Sequence, residues 1–487
     1  MPGNQISPSS KIVQQYKKIY QQIEKYYHEG KLLSPENNKS KLFIGSLSPG
    51  CQACISGKWA CVFINTLCTR DCFFCPQDRS QLKDGKPTVD GIDVNSPEDL
   101  IDFLRKFNFQ GVAFSGGEPL LAFDLLQSYI SKIKAEFGKK MYIWMYTNGD
   151  LATEDRLRRL VNAGLDEIRF DLSARKYDFR PVKLAKTIVK KVTIETPVVP
   201  EEAGKLKASI KIMSKIGINY LNLHELLTTK FNFKAFRERN YHINRNKAVF
   251  ESDLHSLKIL ENNADFSGNL NINYCTTSYK HKFQGRGYNL RYTPYLCESY
   301  ESITATGLIR QTFLKPARKN IPAFKAIFSA KKHLWKWDVI KGHLIVHASI
   351  LNEVCNHFQS AVSRIYIRYF HVKISNLNSQ IPVDCRKIRI NKKFQILGEK
   401  RAAERQFSFN IKEFLPSFFT IFVKNRLYTS ELKRYLNHFR LEIQNQAAIT
   451  KKIIRFMTFY TSFEDFEYLG KEMNSRISRI NNMGINL

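Results

Sequence analysis

The chain has 487 residues, enough to bury a large core spread over two or three domains. Its 43% hydrophobic content excludes a disordered chain, and no run reaches the roughly 18 apolar residues of a membrane-spanning helix. The formal net charge of +32 is extreme and points to an anionic partner or to a lysine-rich composition.

Residues 1–15, MPGNQISPSSKIVQQ, carry no apolar signal core, so the ten cysteines read as reduced thiols and metal ligands of a cytoplasmic protein. Residues 9–28 form an amphipathic helix, because Ile12, Tyr16, Ile19, Tyr20 and Ile23 recur at helical spacing behind a serine cap. Residues 30–58 read as a Gly-, Ser- and Pro-bearing loop that holds Cys51-x2-Cys54. Strands and helices then alternate. The strand 60–67 leads into Cys68-Thr-Arg-Asp-Cys72-Phe-Phe-Cys75. Ser96 and Pro97 open a helix with acids in its first turn. Strands at 111–115, 142–146, 167–172, 192–199 and 220–223 are separated by helices at 120–137, 153–163, 183–190 and 202–216. This alternation predicts a parallel sheet with right-handed crossovers and ligands at the C-terminal strand ends.

The cysteine run lies at the first of those ends. Three thiolates this close on one loop can ligate three irons of a four-iron cluster and leave the fourth iron open. Structural zinc is the competing reading, but it favours paired Cys-x2-Cys units, and the first gap here is three residues. The next strand ends in Gly116-Gly117-Glu118-Pro119, where two glycines permit close backbone approach and a carboxylate can accept from an ammonium group. Strand ends further on supply Asn148, the pair Asp171 and Ser173 on one predicted face, and Glu225 facing a cavity mouth. For these the alternatives are an ordinary Asn-Gly turn, a helix cap or solvated strand end, and a lysine partner.

The cysteine run together with the Gly-Gly-Glu-Pro turn resembles the radical S-adenosylmethionine (SAM) superfamily. The resemblance implies an open (β/α)6 partial barrel. It implies that Cys68, Cys72 and Cys75 hold a [4Fe-4S] cluster and that SAM chelates the open iron. Gly116, Gly117, Glu118 and Pro119 would then contact the SAM amino group, Phe74 would meet the adenine through its backbone, Asn148 the methionine part, and Asp171 and Ser173 the ribose. Catalysis would rest on the triad and Glu225, with a one-electron donor of the flavodoxin or ferredoxin type. The segments around Cys51 to Cys54, 164–170, 222–226 and 273–280 resemble more closely a mostly archaeal subgroup related to pyruvate formate-lyase activating enzyme. His224 departs from that pattern, where Asn is expected. The subgroup implies an oxidoreductase or activase whose substrate is unknown, a protein or peptide being favoured over RNA.

Cys51 and Cys54, with Cys275 downstream, have the pattern of a second metal site, an auxiliary iron–sulfur cluster or zinc; buried unliganded thiols are the alternative. Cys355 and Cys385 read as packing residues. Residues 284–291, bearing Arg286 and Arg291, read as an anion-gripping segment or a surface loop. The expected division is a helix and cysteine loop at 1–58, the core at 59–300, and a basic mixed α/β extension at 301–487. In that extension residues 311–487 hold 31 Lys and Arg against 12 Asp and Glu. The basic residues are dispersed, so compositional drift is favoured over a nucleic-acid surface. Within the extension, 302–309, 334–358 and 364–374 read as strand or strand and helix, and 411 onward as mainly helical.

Overall fold

A computed structural model of the chain describes residues 10–35, 40–77, 86–243, 247–265, 268–304, 307–358 and the strands at 364–375, 385–390, 396–399 and 405–410. It divides into two compact units, one running to Gly285 and the other starting at Arg286. None of the described helices is long and apolar enough to cross a membrane.

The first unit begins with α1 (Ser10–His28), whose buried stripe includes Tyr16, Ile19 and Ile23. A short strand β1 (Lys41–Ile44) and a helix α2 (Pro49–Ile55) follow, both inside the stretch expected to be loop. Ser48 caps α2 by accepting from the Cys51 N–H, and Pro49 sits in its first turn. These local signals were legible in 48–51, but the helix is too short for periodicity to reveal it. After them come β2 (Trp59–Asn65) and the small hairpin β3 (Thr88–Val89) and β4 (Ile92–Asp93).

The alternating part runs α3 (Pro97–Lys106), β5 (Gly111–Gly116), α4 (Phe123–Phe137), β6 (Tyr142–Thr147), α5 (Glu154–Ala163), β7 (Glu167–Phe170), α6 (Arg180–Ile188), β8 (Lys191–Pro197), α7 (Ala203–Lys215) and β9 (Tyr220–His224). Ser96 and Thr153 cap α3 and α5 through their hydroxyls, as the sequence pattern requires. Two further helices, α8 (Phe233–Glu238) and α9 (Phe250–Asn263), lead to β10 (Asn271–Cys275). α1 packs on α9.

The sheet order is β1-β10-β9-β8-β7-β6-β5-β2-β3-β4. The seven strands from β2 to β10 in that list pair in parallel, and β1 closes one edge in antiparallel register. The two ends of the list are not paired to each other, so this is an open partial barrel with one parallel strand more than expected. β10 escapes the sequence reading because NINYC alternates polar residues into the strand.

That alternation explains the site. One face of the sheet is aliphatic: Val62, Val112, Ile143, Met145, Ile168, Val192, Ile194, Leu221 and Leu223 are fully buried. The other face carries Trp144, Tyr146, Arg169, Glu195, Asn222, His224 and Asn273. α2 lies against this polar inner face. Gly50 is needed there, because a Cβ would stand 2.4 Å from the Arg169 Nη2 and 3.2 Å from the Trp144 ring.

In the second unit, β11 (Ser302–Ile303), β12 (Ile309–Leu314), β13 (Trp335–Asp338), β14 (His343–Val346), β15 (Arg364–Ser375), β16 (Cys385–Ile390), β17 (Ile396–Glu399) and β18 (Arg405–Asn410) form one sheet. A helix spans Leu351–Phe358, so the strand and helix reading of 334–358 agrees with the structure. The helical reading from 411 onward, and with it much of the basic surface, lies outside the described residues. Gln284–Arg291 is helical rather than a loop: Lys280–Gln284 is a π-turn and Gly285–Tyr292 an α-helix.

Candidate active site

The cysteine loop leaves the end of β2 and is tied to neighbouring strand ends. Cys68 is exposed, while Cys72 and Cys75 are partly buried. The Cys75 N–H donates to the Cys72 carbonyl at 3.0 Å, which folds the loop into a turn. Asn148, in the turn after β6, donates from Nδ2 to Thr69 Oγ1 at 2.8 Å and lies 3.7 Å from the Cys68 sulfur. Asp150 is the anchor that sequence reasoning missed. It accepts from Thr69 Oγ1 at 2.8 Å, Arg70 Nε at 2.6 Å and Arg175 Nη1 at 2.6 Å. The Arg70 hydrogen bond holds its carboxyl below the usual value. At the far side, Asn232 donates to the Phe74 carbonyl at 3.1 Å, and Phe73 and Phe74 pack against Leu226, Phe236, Tyr241 and Val249. Gln77 donates to the Gly116 carbonyl at 2.8 Å.

The two glycines bring β5 against this loop. The Gly117 N–H donates to Asn65 O at 3.0 Å and the Glu118 N–H to Leu67 O at 2.6 Å. Gly116 has φ +120°, open to glycine, and a Cβ on Gly117 would stand 1.8 Å from Leu67 O. Gly117→Ala therefore drives the cysteine loop away from β5. Overpacking of this kind costs roughly 1–3 kcal/mol. A lower unfolding midpoint together with loss of bound iron after anaerobic reconstitution is the expected result.

Glu118 behaves differently from the expectation that it offers its carboxylate to a ligand. It is fully buried and accepts from Thr147 Oγ1 at 2.8 Å, the Asn148 N–H at 2.8 Å and the Leu120 N–H at 3.1 Å. It staples the ends of β5 and β6 and so places Asn148. Burial raises its pKa against those donors. Pro119 is buried in the short turn that follows.

Asp171 and Ser173 do not share a strand face, because β7 ends at Phe170. Asp171 instead accepts from the Ser173 N–H at 2.9 Å, the Ala174 N–H at 3.3 Å and Thr196 Oγ1 at 3.2 Å. Ser173 Oγ lies 3.0 Å from Thr196 Oγ1. The pair is still brought together at the ends of β7 and β8. Burial outweighs the three donors and pushes Asp171 from 3.8 up to about 7. The native state therefore holds this proton more tightly than the unfolded chain does. The stability it contributes is full below about pH 4 and is lost as pH rises to about 7. Asp171→Asn should flatten that slope, read as the difference between parent and variant in urea unfolding across this window.

Glu225 also departs from expectation. It is 2% exposed, and its Oε2 accepts from the Thr277 N–H at 2.7 Å, so it fastens the turn after β10 and does not face an open mouth. Its neighbour His224 takes the inner-face position and pairs with Glu195. Arg169 is the centre of that face. It donates to Glu167 at 2.8 Å, Glu195 at 3.0 Å and Ser48 Oγ at 3.0 Å, and its guanidinium lies 5.0 Å over the Trp144 ring. Burial alone would raise Glu195, yet His224 and Arg169 hold its carboxyl below the usual range; burial lowers the His224 pKa in turn, so the Arg169 guanidinium is the permanent charge of the pair.

The second cysteine group also comes together. Cys51 and Cys54 lie on α2 and Cys275 at the end of β10. Asn273 Nδ2 is 3.8 Å from the Cys51 sulfur and 3.4 Å from that of Cys275. Burial pushes the Cys54 thiol up to about 11 and raises Cys51 as well. Cys297 belongs to the second unit. The Cys355 and Cys385 side chains lie outside the described residues. Among the described residues, no set of three or more Cys, His, Asp or Glu is drawn tightly enough to enclose a single metal ion, at either cysteine group.

The chemistry of the first donor set fits an iron–sulfur cluster. Three soft thiols crowd one loop, partly open, and the glycine cradle of β5 sits directly beside it. Residues 62–197 match the model of the radical SAM superfamily. The chain is 26% identical over 306 residues to the Methanocaldococcus jannaschii protein MJ0021, whose name assigns it by inference to the glycyl-radical enzyme activating enzymes. That match covers 59% of this chain and 76% of the relative. It is 31% identical over 124 residues to the S-adenosyl-L-methionine-dependent 2-deoxy-scyllo-inosamine dehydrogenase of Niallia circulans, covering 25% of this chain and 47% of the relative. Among solved structures, SuiB of Streptococcus suis bound to its precursor peptide SuiA aligns at 14% identity and a TM-score of 0.32, over 51% of this chain and 57% of that one. The chain thus spans about half the length of the Niallia enzyme and somewhat more than half of SuiB.

Proposed function

On the match of residues 62–197 to the radical SAM superfamily, we propose that the chain is a member that activates a protein or peptide by removing a hydrogen atom from it. The observation that carries the reading is the docking of the three-cysteine loop against Gly116 and Gly117 at adjacent strand ends. Cys68, Cys72 and Cys75 would hold a [4Fe-4S] cluster. The chemistry that a bound cluster and SAM supply is one-electron cleavage to methionine and a 5′-deoxyadenosyl radical, which takes hydrogen from the substrate.

The chain's own residues position and shield. Asp150, Arg70 and Asn148 set the loop; Glu118 holds the ends of β5 and β6 in register with it. Backbone groups around Gly116 and Gly117 serve the amino group of SAM, since the Glu118 carboxylate is committed to protein donors. Asp171 and Ser173, at the ends of β7 and β8, would meet the ribose. Phe73 and Phe74 pack with Phe236 and Tyr241 and exclude water on one side of the loop. The inner-face groups His224, Glu195, Asn222 and Arg169 supply polar contacts for a substrate reaching into the barrel. The protein or peptide class draws on the likeness to the Methanocaldococcus relative, and the one-electron step calls for a separate donor of the flavodoxin or ferredoxin type. Cys51, Cys54 and Cys275 are read as a further metal site.

The test is anaerobic reconstitution with iron and sulfide, reduction by dithionite and incubation with SAM. Formation of 5′-deoxyadenosine is expected. A protein with a filled cluster that makes none would sink the enzymatic reading.

A further inference from the structure

Resting on the reading of Cys51, Cys54 and Cys275 as metal ligands, we propose that these thiols hold a second four-iron cluster, balanced by the buried Lys41 ammonium, and not a zinc ion. Cys51 and Cys54 stand one helical turn apart on α2, and Cys275 faces them from the end of β10. Cys51 and Cys275 are 5% and 7% exposed, so this is an interior site.

The surroundings are wrong for inert thiols. A buried unliganded cysteine packs as a small hydrophobe, and its sulfur is a weak acceptor. Here polar donors converge on the sulfurs. Lys41 Nζ donates to Cys275 at 2.9 Å and Asn273 Nδ2 reaches the same sulfur at 3.4 Å. Asn222 Nδ2 lies 3.5 Å from Cys51. Tyr279 Oη and Gln284 Nε2 each lie 3.2 Å from Cys54. Hydrogen bonds of this kind surround metal-bound thiolates, whose charge they spread.

Charge points the same way. Lys41 is 1% exposed, and its hydrogen-bond partner is a sulfur, not a carboxylate. Its Nζ also lies 4.0 Å over the Tyr279 ring. An ammonium this deep needs an anion. Three thiolates around a dipositive metal core leave one negative charge, which Lys41 neutralises.

Spacing separates the two metals. A single zinc ion sits about 2.3 Å from each sulfur and draws its thiolates nearly into contact. Among the described residues no three Cys, His, Asp or Glu side chains can hold one metal ion in common, these cysteines included. A core of four irons does not ask the thiolates to converge on one ion, because each binds its own iron.

The experiment compares the parent chain, a variant with Cys68, Cys72 and Cys75 changed to Ala, and one with Cys51, Cys54 and Cys275 changed to Ala. Each is purified without oxygen, and iron, sulfide and zinc are counted. The parent should hold about eight irons and each variant about four. The first variant, once reduced, should show the electron paramagnetic resonance of a four-iron cluster. In that background Lys41→Met should make the cluster harder to reduce, because it removes a nearby positive charge. Iron and sulfide absent from the first variant, with zinc in their place, would overturn the cluster and leave the metal site standing. No metal of either kind there would overturn both. About four irons retained in the second variant keeps the triad reading independent. Because the first variant changes only the partly exposed triad loop, its count decides the matter even if the interior variant fails to fold.

Discussion

Cys72→Ala abolishes 5′-deoxyadenosine formation, down to the level of a no-enzyme control, while the folded state loses no more than about 0.5 kcal/mol. The loop is anchored away from this thiol. Its position is set by Asp150 against Arg70 and Thr69, by Asn148 against Thr69, by Asn232 against the Phe74 carbonyl and by Gln77 against Gly116. None of those bonds involves the Cys72 sulfur. The tie between Cys72 and Cys75 runs through the backbone, which alanine preserves. Removing one thiol therefore leaves the scaffold in place and takes one ligand from the proposed cluster. The measurement pairs chromatographic detection of the nucleoside with thermal or urea unfolding. A variant that still makes the nucleoside at the parent rate would remove Cys72 from the proposed ligand set.

Much of the scaffold was legible because its strands are buried on both sides. Val112, Phe114, Ile143, Met145, Val192 and Ile194 form the apolar rhythm that carries the parallel reading. The cysteine spacing and the Gly-Gly turn were legible because few other roles need those residues in that order. What was not legible depends on tertiary pairing. β10 was missed since its inner-face residues, Asn273 and Cys275, are polar. The expectation for Glu118 assumed an open carboxylate, but Thr147 and Asn148 come from another strand end and consume it. Asp150 shows no signal in sequence, because its partners Arg70 and Arg175 lie far away along the chain. Glu225 was expected at a mouth because its strand ends there, yet the turn at Thr277 folds over it.

Arg169 yields the largest effect on stability. Replacing it by methionine should cost about 3–5 kcal/mol, the range for breaking a buried charge pair from one side. The side chain is 3% exposed and binds two carboxylates that are themselves buried. Glu167 also receives Thr193 Oγ1 at 2.6 Å and Tyr142 Oη at 2.9 Å, and Glu195 receives Asn222 Nδ2 at 2.5 Å. Without the guanidinium these groups remain buried with too little positive charge. In the parent Glu195 stays ionised because His224 and Arg169 outweigh its burial. In the variant Glu195 loses the Arg169 share of that balance, and its pKa rises from the parent's. A lowered folded-state pKa gives stability that is present above the unfolded pKa and lost as pH falls, so the variant forfeits part of it as pH rises. The penalty of Arg169→Met should accordingly be greater at pH 8 than at about pH 3, measured by urea unfolding at both. Adding Glu195→Gln should recover part of the loss at pH 8, because it removes the charge that lost its partner. A penalty that is equal at both pH values, and unmoved by Glu195→Gln, would mean that packing against Trp144 and Gly50, rather than charge, is what Arg169 supplies.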